Sequence, residues 1–141
     1  MAHLSLSVAD AIIRAALGES RRLALKPMTV AVLDAGGHMI ACSREDGSGF
    51  LRFELATGKA YGALGFGFGS RGLQDKSPTF LAGAIAASGG RLVPAAGGIV
   101  IREDSGFVLG AIGVSGDTSE ADEAVGLEAV REVGLRGDIG T

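Results

Sequence analysis

Tryptophan is absent from this chain, cysteine occurs once, histidine twice and proline three times in 141 residues. The single cysteine, Cys42, cannot close an internal disulfide, which points to a reducing compartment. One cysteine and two distant histidines, His3 and His38, exclude a metal centre built from a Cys/His cluster. No basic run is present: 13 Lys+Arg stand against 16 Asp+Glu, for a net charge of −3. The clustered cations of a nucleic-acid footprint are therefore missing. No apolar run approaches the ~20 residues that span a bilayer. The start, MAHLSLSVADAIIRAALGES, lacks the basic stretch and unbroken apolar core of a signal peptide. Together these absences predict one cytoplasmic domain over residues 1–141, with neither nucleic acid nor membrane as a partner.

Glycine is abundant instead. The 24 glycines exceed the roughly 7% of an average protein. They follow no three-residue period and sit among apolar residues, which excludes collagen and low-complexity disorder.

The periodicity changes several times along the chain. Ser7 and Asp10 have capping-box spacing, and Ile12, Ile13, Ala16 and Leu17 follow at helical intervals up to Pro27. From Met28 to Ala35 the residues are β-branched and apolar, Gly36-Gly37 signals a two-residue hairpin, and a second strand returns from His38 to Glu45. Cys42 shares a strand face with Ile40 and reads as a small core residue. A helix is expected over 51–64, thinned by Gly58 and Gly62, and a third starts with Ser77 as cap and Pro78 at its first position. A short strand at Leu92–Pro94 fits the composition. Two hairpin strands follow, around a turn at Asp104-Ser105-Gly106, and a helix capped near Thr118 runs to Val133. The end, GLRGDIGT, reads as a loose tail. The order α-β-β-α-α-β-β-α predicts an α+β fold with an antiparallel sheet flanked by helices.

The motifs carry unequal weight. Gly67–Gly72 spells G-x-G-x-x-G, but it follows a helix rather than a strand and does not read as a dinucleotide site. Ser115 lies in VSGD, without a nucleophile elbow. The acidic group Asp117, Glu120, Asp122 and Glu123 reads as the solvated first turn of a helix. Arg44, Asp46, Arg52, Glu54, Lys59 and Arg71 are harder to set aside, because they fall at strand ends and around one helix beside glycine backbone. Such cations suit a carboxylate-bearing ligand, and a surface salt-bridge set is the alternative of equal weight.

Four stretches in order, AVLDAGGHMIACSREDG, ELATGKAYGAL, AAGGIVI and GAIGVSGDTSEADE, resemble the GlcG/HbpS family, also described as haem-degrading or DUF336-type domains. The resemblance runs from about Leu6 to Gly134 and includes the C-terminal domain of PduO-type proteins. It implies a profilin-like fold, assembly into a homo-oligomer, and haem or another tetrapyrrole or small molecule as ligand. It also implies that Arg44, Asp46, Gly47, Lys59, Gly97, Gly98, Gly113, Ser115, Gly116, Asp122 and Glu123 line a shared pocket. Some haem-binding relatives use a histidine of the first helix, and residues 7–25 here contain none. His38, Tyr61, Met39 or Thr118 would then take that role.

The resulting expectation is an oligomeric ligand-binding protein with haem or another carboxylated cofactor as ligand. Arg44, Lys59 and Arg71 would hold its anionic groups, and His38 or Tyr61 its iron. The rival class is an isomerase or hydrolase acting on a small acidic metabolite, with Asp46 or Glu54 moving a proton. The Gly58–Gly69 stretch is expected at or near an interface. Replacing Lys59 or Arg44 by alanine is expected to weaken binding while barely altering stability.

Overall fold

Helix α1 (Leu6–Arg22) begins at Ser5, whose hydroxyl accepts the Val8 N–H at 3.1 Å. The cap lies two residues before the expected Ser7. Ala9, Ile12, Ile13 and Ala16 form its buried stripe. The computed structural model describes residues 3–141.

Strands β1 (Thr29–Asp34) and β2 (Met39–Arg44) form the first hairpin. The Asp34 N–H donates to the His38 carbonyl at 2.8 Å, so the loop holds three residues, Ala35, Gly36 and Gly37, rather than two. Gly37 takes φ +85°, the left-handed position that closes such a loop. Cys42 is exposed on this edge strand, a correction to its core assignment, while Ile40 packs toward α1.

Helix α2 (Arg52–Phe66) and a short 3₁₀ turn, Ser70–Leu73, precede helix α3 (Pro78–Ala87). Ser77 caps α3 as expected, accepting the Phe80 N–H. No strand forms at Leu92–Pro94; there the Val93 N–H donates to the Gly58 carbonyl. Strands β3 (Gly98–Arg102) and β4 (Val108–Ser115) follow, then helix α4 (Ser119–Glu132), capped by Thr118. The expected loose tail contains a strand, β5 (Arg136–Asp138), paired with β3. Asp138 anchors it through Arg102 at 2.9 Å.

All pairings in the sheet are antiparallel, in the order β2-β1-β4-β3-β5. The α+β class and the flanked antiparallel sheet expected from sequence are both present. Helices α1 and α4 pack together, and their apolar stripes meet Val30, Val32, Ile112 and Val114 in the main core. The opposite face carries Ala31, Ala111, Gly98 and Gly113, and α2 lies on it. A Cβ on Gly113 would collide with the Ala56 carbonyl, and one on Gly98 with the Lys59 carbonyl. Missing side chains in the sheet let the backbone of α2 settle directly on it.

Candidate functional site

The outer side of α2 and the β1–β2 hairpin enclose a cleft of about 340 Å³. Leu33 and Met39 from the hairpin, and Phe53 and Tyr61 from α2, give it apolar walls. Phe53 and Tyr61 stand eight residues apart, slightly more than two helical turns, which places both on one side of α2. Gly90-Arg91, just beyond α3, closes the rim. The Arg91 guanidinium lies 4.3 Å from the centre of the Tyr61 ring, and its Nε donates to the Ser88 carbonyl. This cation–π contact holds a positive charge over an aromatic wall. Glu54 and Thr57 supply the remaining polar groups, and the Thr57 hydroxyl oxygen is buried without a hydrogen-bond partner among the described residues.

A smaller hollow of about 160 Å³ continues around the hairpin loop and shares Gly37 and Tyr61 with the cleft. His38 sits in this loop region with its side chain 80% exposed, and its Nδ1 lies 3.1 Å from Asp34 Oδ1.

The other expected site residues are dispersed. Lys59 is buried: its ammonium donates to the Val114 carbonyl at 3.0 Å and to Asp122 Oδ2 at 3.1 Å. Burial pulls Lys59 below the ordinary lysine range, and Asp122 opposes that shift. Arg71 grips Glu123 through two guanidinium nitrogens at 2.9 Å each. Asp122 and Glu123 are therefore buried partners rather than a solvated first turn. Gly97 and Gly98 lie beneath Lys59, and Ser115, fully buried, accepts from Arg52 at 3.1 Å. Arg44 and Asp46 line a separate, open depression with Arg21 and Glu45.

Of the candidate ligand and catalytic residues singled out in the sequence, Met39, Glu54 and Tyr61 line the apolar cleft, while His38, between Gly37 and Met39, does not. Arg44, Lys59 and Arg71 do not converge there. The close approach admitted by Gly58 and Gly62 is to the chain's own 91–93 segment rather than to another molecule. Sequence reasoning missed Arg91, Phe53 and Asp34. The Gly89-Gly90 pair before Arg91, and Asp34 ahead of a glycine pair, were the available signals.

The chain matches the family model described as haem degrading protein HbpS-like over residues 4–131. Among solved structures it is similar to PduOC in a haem complex, at 26% identity, with 94% of this chain and 96% of that chain covered and a TM-score of 0.86. It is similar in fold to Klebsiella pneumoniae protein ORFY, at 23% identity, 92% and 90% coverage and a TM-score of 0.81. A double mutant of Streptomyces reticuli HbpS gives 24% identity, 95% and 89% coverage and a TM-score of 0.81. A search of curated proteins gives no match.

Proposed function

This chain belongs to the HbpS-like family of haem degrading proteins, and from that premise we propose that it binds haem at the apolar cleft beside the β1–β2 hairpin. The observation that carries the reading is the cleft itself, where aromatic and aliphatic walls meet one guanidinium next to a histidine-bearing loop. These residues suit the group. Leu33, Met39, Phe53 and Tyr61 offer apolar surface to a planar macrocycle. Among the described residues Arg91 hydrogen-bonds through its Nε alone, which leaves its terminal nitrogens for a ligand carboxylate. His38 lines neither hollow, so Tyr61, the other donor expected from the sequence, would hold the iron in place of the first-helix histidine that residues 7–25 lack. Haem, when bound, supplies an iron centre for electron or oxygen chemistry.

Titration with haemin tests the reading. The expected result is a sharp Soret shift that Tyr61→Phe abolishes. Arg91→Ala should lose a charge-assisted hydrogen bond of about 1.5–3 kcal/mol, roughly ten- to a hundredfold in affinity. Absence of specific binding by the unsubstituted protein would overturn it.

A second reading draws on one further observation. Glu54 and Arg91 line the same cleft, a carboxylate and a cation beside apolar walls. That pairing suits an isomerase or hydrolase of a small acidic metabolite, with Arg91 holding the substrate carboxylate and Glu54 moving a proton. Asp46, the other carboxylate proposed from sequence, lines a different depression. Loss of turnover in Glu54→Gln with haemin affinity unchanged would select this reading.

A further inference from the structure

We infer that Arg91 and Glu54, at opposite ends of the cleft, set the rotation of a macrocycle bound there, drawing its carboxylate-bearing edge to Arg91 and turning it away from Glu54. The inference rests on the haem reading and names Glu54 as the residue that gives the site its polarity.

Glu54 and Tyr61 stand seven residues apart on α2, close to two full turns. They share one stripe of the helix, about 10.5 Å apart along its axis, and both line the cleft. Arg91 belongs to the Tyr61 end. Its backbone lies against α2 at Gly58, where an added Cβ would sit 2.6 Å from the Arg91 carbonyl oxygen. From there its guanidinium reaches to 4.3 Å from the centre of the Tyr61 ring. Gly37 of the hairpin loop closes the same end, where a Cβ would sit 3.2 Å from Tyr61 Cε1.

Neither charge is neutralised within the fold. Arg91 has no carboxylate partner among the described residues: its Nε donates to the Ser88 carbonyl and its guanidinium rests over Tyr61. Glu54 is exposed, and among the described residues it makes no hydrogen bond or ion pair. The cleft therefore has a free cation at one end and a free carboxylate at the other, with apolar walls from Leu33, Met39 and Phe53.

A single axial donor fixes the iron but leaves the macrocycle free to turn about the metal–donor bond. Apolar walls do not remove that freedom, because they accept any apolar edge. The two charges do. Haem carries both of its carboxylates on one edge. Turning that edge to Arg91 gains charge-assisted hydrogen bonds, whereas turning it to Glu54 sets like charges together.

Titrations with haemin and with haemin dimethyl ester, which keeps the macrocycle and lacks the carboxylate charges, separate charge from shape. Glu54→Gln should tighten haemin about two- to fivefold, the usual size of an exposed charge contact. That gain should fade at high salt, and the ester should not show it. Arg91→Glu should weaken haemin about a hundredfold or more and keep the ester. The transposed variant, Arg91→Glu with Glu54→Arg, should recover haemin binding. Its induced circular dichroism in the Soret band should differ from that of the unsubstituted complex, because the macrocycle has turned. Haemin affinity unchanged in Glu54→Gln would overturn the inference and leave the haem reading standing. A transposed variant that binds the ester but not haemin would do the same. Absence of haemin binding by the unsubstituted protein would overturn both.

Discussion

Lys59 leaves α2 on the side that faces the sheet and ends between the Val114 carbonyl and Asp122. Removing one partner of a buried ion pair leaves the other charged and unpaired, which costs about 3–5 kcal/mol. Lys59→Ala should therefore lower the unfolding free energy in urea by about that amount. This reverses the expectation that its loss would barely alter stability. Lys59→Met combined with Asp122→Asn should recover most of the loss, because neither replacement side chain carries a charge to leave unpaired. Asp117 makes a second prediction at this scale. The Lys26 and Thr118 N–H groups donate to its carboxylate and hold it below the usual range. A depressed carboxylate contributes stability that is present above its unfolded value, about 3.9, and is lost as pH falls through the lower folded value. The difference in urea midpoint between the unsubstituted protein and Asp117→Asn should hold from pH 7 to about 5 and vanish below the folded value. Sequence reading found Lys59 unusual because Gly58 and Gly62 thin the helix around it. It could not pair Lys59 with Asp122, 63 positions away, because only the fold brings the two together.

Helix α3 buries none of its residues, and the stretch from Ser77 to Gly90 contains no charge. An isolated helix of about ten residues is marginal in water, so packing of α3 against a second surface would stabilise it. Phe80 meets Phe66 edge-on at 5.9 Å, but the rest of α3 makes few contacts with the body. The homo-oligomer proposed from sequence therefore has a better contact surface in α3 than in the Gly58–Gly69 stretch. Ala86→Glu should leave the circular dichroism unchanged and reduce the light-scattering mass to that of one chain. Helices α1, α3 and α4 were legible because hydroxyl caps and apolar spacing are local signals. Strand β5 was not. Arg136–Asp138 has no alternation of its own and exists through its pairing with β3 and the Arg102–Asp138 bridge. The hairpin was legible as a hairpin. Its loop was misread by one residue because a glycine pair fits two loop lengths, and the Asp34–His38 backbone bond decides between them.

Across the whole molecule, the apolar cleft was the least legible feature. Its walls come from β1, β2, α2 and the segment after α3, and each contributes residues that look like ordinary core or surface in isolation. Two of the four cations that stood out in the sequence, Lys59 and Arg71, are partners of buried carboxylates. Charge in a glycine-rich chain marked where α2 and α4 are tied across the fold, while the cleft is marked by aromatic residues and one arginine.

The central place of β1 and β4 in the sheet has a consequence for how the chain reaches this state. Thr29 pairs with Ser115, so the middle of the sheet joins residues made early in synthesis to residues made late. At about 5–20 residues per second, β1 waits roughly 4–17 s for its neighbour. During that wait the apolar side of α1, including Ile12 and Ile13, has only the β1–β2 hairpin to cover it, without β4, β3 or α4. Distant pairings of this kind slow folding toward milliseconds or longer, and they make it wait until β4 has been made. Ribosome-held chains ending at residue 107 should be digested rapidly by protease. Chains extended through residue 141 and held on an added linker should resist it.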